Sequence, residues 1–220
     1  MLLAIISDIH SNLPALKAVL EEIDELGTED IVCCGDTVGY NSFPEECFST
    51  LKTRGIESVM GNHDYAALTG DTRGFNEHAA AAIEWTRKNF ETKKLSSLPI
   101  NMERDEVLFT HGSPRSIFEY VFPDSPVRFL ESLMDDKREF IVLGHTHVPM
   151  RIETGRGTYI NPGSVGQPRD GDPRSAFATL DTERRKTEFY RVEYDIDETA
   201  EHNRRAKLPE FLSERLYLGI

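Results

Sequence analysis

Five short apolar runs in this chain each break off into a cluster of aspartate, histidine, asparagine and glycine. Residues 2–7 lead into Asp8-Ile9-His10, Ile31-Val32-Cys33-Cys34 into Gly35-Asp36, and the run from Gly55 to Met60 into Gly61-Asn62-His63-Asp64. Val107-Leu108-Phe109-Thr110 leads into His111-Gly112, and Phe140-Ile141-Val142-Leu143 into Gly144-His145-Thr146-His147. Short uninterrupted apolar runs bounded by turn residues fit strands buried on both faces. Helical spacing lies between them. Asn12 caps a helix with Pro14 in its first turn and Leu16, Val19, Leu20, Ile23 and Leu26 on one side. Residues 44–53, a segment carrying Ala79 to Ala82, Ile83 and Trp85, and residues 124–136 read as further helices. Strand and helix in alternation predict right-handed βαβ units and a parallel sheet.

The later chain changes character. Pro149–Glu153, Thr158–Ile160, Ser175–Leu180 and Thr187–Glu193 are β-type segments joined by tight turns such as Gly155-Arg156-Gly157. Strands without intervening helices predict antiparallel pairing. Residues 197–218 read as a helical tail broken at Pro209. The expected fold is α/β, in one domain over 1–220, with mixed sheets, parallel in the first half and antiparallel in the second, as two packed sheets flanked by helices.

Composition narrows the setting. The net charge of −13 repels nucleic-acid backbone and anionic lipid, so a phosphate-bearing partner must be small and held by local positive charge. No run approaches the roughly 18–20 apolar residues of a membrane helix. Cys33, Cys34 and Cys47 make a poor disulfide framework. A cytoplasmic protein is expected. The late β segments offer an edge or face for a homo-oligomer, although nothing requires one.

Five of the seven histidines sit at strand exits. In open α/β sheets the ligand crevice lies at the carboxyl ends of the strands, so these residues should converge. Taken singly, Asp8 or Asp36 is an ordinary helix cap and Asn62 an ordinary turn residue. Together at successive exits they predict a metal site. Nitrogen and oxygen donors without thiolate suit Mn²⁺, Fe, Zn²⁺, Co²⁺ or Ni²⁺. The candidate groups exceed what one ion needs, which predicts two divalent metal ions sharing a carboxylate, with Asp36 as the chosen bridge.

These clusters resemble the five motifs of the calcineurin-like metallophosphoesterases, in order and approximate spacing, over roughly residues 5–165. Asn161-Pro162-Gly163-Ser164-Val165-Gly166-Gln167-Pro168-Arg169 resembles the small prokaryotic phosphodiesterase-like branch. The resemblance implies a four-layer α/β/β/α sandwich with a dinuclear centre. It implies Asp8, His10, Asp36 and His147 on one metal, and Asp36, Asn62, His111 and His145 on the other. It also implies a catalytic role for His63 off the metals, with Asp64 orienting it and raising its pKa.

The expected chemistry is phosphate-ester hydrolysis by a metal-bridging hydroxide, assisted by His63. Protein phosphatases and symmetrical dinucleoside tetraphosphatases of this superfamily carry arginines beside the second and third motifs. Here Gly35–Tyr40 and Met60–Asp64 have none. A diester carries less charge, so a phosphodiesterase is expected ahead of a phosphomonoesterase or dinucleoside polyphosphate hydrolase. Arg115 is a candidate substitute for the missing phosphate contact, with Arg169 behind it, and Tyr40, Asn41, Phe118 and Tyr120 are candidates for a base or aryl pocket. A non-catalytic metal-binding scaffold is the alternative from another class; the filled metal positions and His63 count against it.

Overall fold

The computed structural model describes residues 1–220. The chain runs β1 (Leu2–Ile6), α1 (Leu13–Glu25), β2 (Ile31–Cys33), α2 (Pro44–Thr53), β3 (Glu57–Ser58), α3 (Asn62–Thr69) and α4 (Glu77–Asn89). A 3-10 segment, Thr92–Ser97, precedes β4 (Asn101–Arg104), β5 (Val107–Thr110), α5 (Val127–Leu133), β6 (Phe140–Val142), β7 (Met150–Glu153) and β8 (Thr158–Asn161). Then come β9 (Ser175–Asp181), β10 (Lys186–Val192), α6 (Ile196–Arg205) and α7 (Glu210–Leu218).

Two five-stranded sheets form, in the orders β10-β9-β1-β2-β3 and β4-β5-β6-β8-β7. Each has a parallel trio, β1-β2-β3 in one and β5-β6-β8 in the other. Antiparallel strands complete both sheets. The late segments are therefore not uniformly antiparallel. β7 lies at the edge and β8 returns between it and β6, parallel to the latter.

Side-chain alternation builds the layers. Along β1, Leu3 and Ile5 point between the sheets, where they meet Val107, Phe109, Phe140, Val142 and Ile160. Ala4 and Ile6 point the other way, against Leu16, Val19 and Ile23 of α1. On the far side, Leu108, Ile141 and Tyr159 pack against Leu130 and Leu133 of α5. The order helix, sheet, sheet, helix is the four-layer sandwich expected. Burying both faces of each sheet explains why the strands read as unbroken apolar runs. No helix is long and apolar enough to cross a membrane.

Several elements differ from expectation. The helix placed at 124–136 is only Val127–Leu133: Pro126 caps it in an extended conformation, and Met134 is extended at its other end. The helix α3 was not anticipated, because its first turn carries Asn62, His63 and Asp64 rather than apolar residues; Gly70, at φ 82°, ends it. β4 was also unanticipated: it is a polar edge strand, Asn-Met-Glu-Arg. The tail is two helices, with Pro209 capping the second. It is tied to the loops beyond β1 and β2. Thr199 Oγ1 donates to Asn12 Oδ1 (2.8 Å), and Asn203 Nδ2 donates to Asn41 Oδ1 (2.7 Å).

Candidate metal centre

The loops that leave the parallel strands are laced together by main-chain hydrogen bonds. Asp8, His10 and Ser11 donate N–H to the carbonyls of Gly35, Asp36 and Thr37 at 2.9–3.0 Å. Val165 and Gly166 donate to the carbonyls of Ser7 and Asp8, each at 2.9 Å, and Ser164 Oγ adds a bond to Asp8 O (2.8 Å). Gly144 N–H donates to His111 O (2.8 Å). Asn161–Arg169 therefore braces the first loop from behind. The loops turn sharply: Asp8, His10, Asp36, His145 and His147 have φ of 54°, 49°, 54°, 68° and 61°. Such left-handed backbone at a non-glycine residue costs about 1 kcal/mol or more and persists only where surrounding bonds impose it.

Geometry fixes the direction of the donor atoms. His10 Nδ1 contacts Val38 O (3.2 Å), His111 Nδ1 contacts Cys34 O (2.8 Å) and His147 Nδ1 contacts Gln167 O (2.5 Å). A carbonyl can only accept, so each Nδ1 carries the hydrogen and the neutral ring presents its lone pair at Nε2. Those Nε2 atoms converge. His10 Nε2 is 3.1 Å from His147 Nε2 and 3.6 Å from Asp36 Oδ2. His147 Nε2 is 3.2 Å from Asp8 Oδ1, and His111 Nε2 is 3.3 Å from Asp36 Oδ2 and 2.9 Å from Asn62 Oδ1.

Each carboxylate is held by one oxygen and leaves the other free. Asp8 Oδ2 accepts from Ser7 Oγ (2.6 Å) and from His145 N–H (3.1 Å). Asp36 Oδ1 accepts from His63 N–H (2.8 Å). Asp8 Oδ1, Asp36 Oδ2 and His145 Nε2 are buried without a hydrogen-bond partner. Buried polar atoms without partners are costly, and here they face lone pairs. Cations satisfy such a constellation, and the donor chemistry fits divalent metals. The donor atoms of Asp8, His10 and His147 lie within 4.8 Å of one another, as do those of Asp8, Asp36 and His111. His10, Asp36 and His63 form a third such group.

The protonation states follow the same crowding. Burial opposes ionisation of Asp8, yet His147 beside it holds the carboxyl below its usual range. Burial and His63 hold His10 well below its ordinary value. His145 is pushed down to about 3 by burial and by His111. His111 goes the other way: burial disfavours its charge, but Asp36 outweighs that and raises it to about 9.

His63 and Asp64 depart from expectation. Asp64 Oδ2 accepts from Thr37 N–H (3.3 Å) and Gly61 N–H (3.1 Å), and Oδ1 accepts from Val38 N–H (3.0 Å). It staples the start of α3 to the loop after β2 and makes no hydrogen bond to His63. Consecutive residues on a helix do not face each other. Burial, with Asp36 nearby, raises Asp64 to about 7. His63 is lowered to about 4, chiefly by burial. Its ring packs edge-on to those of His10 and Phe75, 4.7 and 4.8 Å between centroids, and Nδ1 has no partner.

A cavity of about 540 Å³ opens beside these groups, lined in part by Asn62, His63, His145, Tyr40, Phe118 and Tyr120. Tyr120 stacks on His145 with centroids 3.9 Å apart. Asn41 is not among the lining residues; it is buried and holds His10 O (2.8 Å). Arg115 is not there either. It is exposed, and its Nη2 is spent on Ser132 O and Oγ, both at 2.8 Å. Arg169 and Arg215 do line the cavity. Sequence reasoning missed Arg215. The one available signal was an arginine three residues after Leu212 and one before Leu216, on the apolar side of α7.

The close approach of loops makes a glycine indispensable. A Cβ on Gly61 would overlap Asp36 Oδ1 and sit too close to Asp36 N. Gly61→Ala is expected to keep its far-UV circular dichroism yet bind divalent cation at least about tenfold more weakly, the scale on which displaced supporting groups act. Titration calorimetry reads this, and wild-type affinity would contradict it.

Residues 1–185 match the family model of the calcineurin-like phosphoesterase superfamily domain. An uncharacterized protein of Methanocaldococcus jannaschii is 39% identical, with 99% of this chain and 98% of that protein covered. The phosphodiesterase YfcE of Escherichia coli is 26% identical over 83% of this chain and 89% of its own. The crystal structure of a metallophosphoesterase from Sphaerobacter thermophilus superposes with a TM-score of 0.86 at 36% identity, covering 100% of both chains.

Proposed function

The chain belongs to the calcineurin-like phosphoesterase superfamily, and from that premise we propose that it is a dinuclear phosphodiesterase working at the rim of the two sheets. The observation that carries the reading is the pair of carboxylates, Asp8 and Asp36, each pinned by one oxygen with the other buried, unpartnered and facing histidine Nε2 atoms. Asp8, His10, Asp36 and His147 would hold one ion; Asp36, Asn62, His111 and His145 would hold the other. Asp36 Oδ2 is 3.6 Å from His10 Nε2 and 3.3 Å from His111 Nε2, members of the two sets, which supports Asp36 as the shared ligand. Divalent cations in such a site supply Lewis acidity toward phosphoryl oxygens and a lowered pKa for water.

The chain's own residues do the rest. The carbonyls of Val38, Cys34 and Gln167 lock three imidazoles in one tautomer, so the donor set needs no rearrangement. His63 lines the cavity, and because burial keeps its ring neutral it donates a hydrogen bond, not a proton, to the departing oxygen. Tyr120 and Phe118, each about half exposed, offer faces for a flat leaving group. The three cysteines are free and buried, which suits the cytoplasmic setting expected from sequence.

Two measurements test this. With Mn²⁺, Fe²⁺, Co²⁺, Ni²⁺ or Zn²⁺ supplied in turn, bis-p-nitrophenyl phosphate should be hydrolysed at least about tenfold more efficiently than p-nitrophenyl phosphate, a difference of ~1.4 kcal/mol in barrier. The reverse preference would replace the diesterase reading with a monoesterase one. Cation binding should also stabilise the fold. At about a thousand times its dissociation constant a ligand contributes ~4 kcal/mol, or about 8–16 °C in Tm for a chain this long. A melting curve indifferent to both chelator and Mn²⁺ would remove the metals.

A further inference from the structure

Most arginines of this acidic chain are neutralised by an aspartate or glutamate, Arg73 at the cavity's edge by Asp71 among them. Arg169 and Arg215 differ. Arg169 Nη2 bonds Tyr40 Oη (2.9 Å) and Gln167 Oε1 (3.2 Å), and its buried Nε has no partner. Arg215 donates Nε–H to a carboxylate oxygen of Ile220, the last residue (2.6 Å). Both guanidinium carbons lie 5.7 Å from the centre of the Tyr40 ring, so both cations share one aromatic residue. Neither forms an ion pair with a carboxylate side chain. Arg215 is 9% exposed, and burial together with the charge of Arg169 lowers it to about 10. The Ile220 carboxylate answers only one of these two crowded cations, so Arg169, whose partners are neutral, leaves the corner with charge for a further anion.

Tyr40 connects this corner to the centre. Its ring packs against His63 and His10, with centroids 4.4 and 4.5 Å away. Arg169, Arg215, His63 and Asn62 line the same cavity. We infer that Arg169 and Arg215 form a subsite for a second phosphoryl group of the substrate, beside the ester that is cleaved. The reasoning rests on the phosphodiesterase proposal and adds to it. The paired guanidiniums match a phosphate monoester, which is close to dianionic at neutral pH, better than a singly charged carboxylate. The subsite also explains why an arginine on α7, outside residues 1–185 of the family match, is held at the cavity.

The test uses two aryl diesters that differ in one group: the p-nitrophenyl ester of thymidine 5′-phosphate, and the same ester carrying a 3′-phosphate. The wild-type, metal-loaded protein should prefer the second by about tenfold or more in kcat/KM, and Arg215→Gln should bring that ratio close to one. Arg215→Lys should keep part of it, which separates lost charge from lost folding. In parallel, calorimetry with metal-free protein should show thymidine 3′,5′-bisphosphate binding at least about tenfold tighter than thymidine 5′-phosphate, with Arg169→Gln and Arg215→Gln each reducing the difference. Hydrolysis of both esters with no preference, or a preference unchanged in Arg215→Gln, overturns the subsite while leaving the phosphodiesterase intact. Hydrolysis of neither ester sinks the phosphodiesterase, and the calorimetric difference then decides the subsite alone.

Discussion

Asp36→Ala is expected to lose at least about a thousandfold in kcat/KM, because the Lewis acidity of a bound cation is worth several kcal/mol of transition-state stabilisation. Asp36 is 1% exposed, and its free oxygen sits between histidines assigned to different ions. Its removal should weaken both, so metal analysis should return fewer than two equivalents. The variant also strips His111 of the charge that raises its pKa to about 9. Gel filtration and circular dichroism establish that the fold persists. An Asp36→Ala protein that keeps two equivalents of metal and works within tenfold of wild type refutes the shared-ligand arrangement.

His63→Gln should behave differently. It is expected to retain its metal content and lose about 10²–10³-fold in turnover, the scale on which one donor aimed at developing charge acts. The loss should depend on the leaving group. A p-nitrophenolate departs without a proton, so its ester should suffer least, whereas an alkyl ester should suffer most. A uniform loss across leaving groups, or wild-type turnover, removes His63 from the stabilisation of the departing oxygen. Because Asp64 is committed to the amides of Thr37, Val38 and Gly61, Asp64→Asn is expected to act through the loop and α3 rather than through the acidity of His63.

Much of the architecture was legible because strands buried on both faces leave unbroken apolar runs, and each run here ends at a ligand loop. Leu3 and Ile5 face one layer while Ala4 and Ile6 face another, so the first run has no polar position until Ser7. The convergence of Asp8, Asp36, His111 and His147 followed from strand polarity alone. Other features were hidden for physical reasons. The first turn of α3 is made of polar site residues, which erases the apolar stripe that marks a helix. β8 inserts beside β6 through a hairpin whose sequence resembles any antiparallel pair. His63 and Asp64 are adjacent in sequence, which suggests partnership, but the helix turns them apart. Arg215 reaches the cavity only because α6 and α7 fold back behind the first two loops, a tertiary placement no local pattern encodes.

The left-handed loops set limits on how this site can change. Asp8, His10, Asp36, His145 and His147 all occupy backbone that β-branched side chains tolerate poorly. Aspartate, asparagine and histidine are among the few side chains at ease there, and glycine is freer still. Chemistry and chain geometry therefore select the same short alphabet at five positions. A descendant that abandoned cations would keep these loops most cheaply with asparagine or glycine, and a valine or threonine in their place would mark a rim that had been rebuilt.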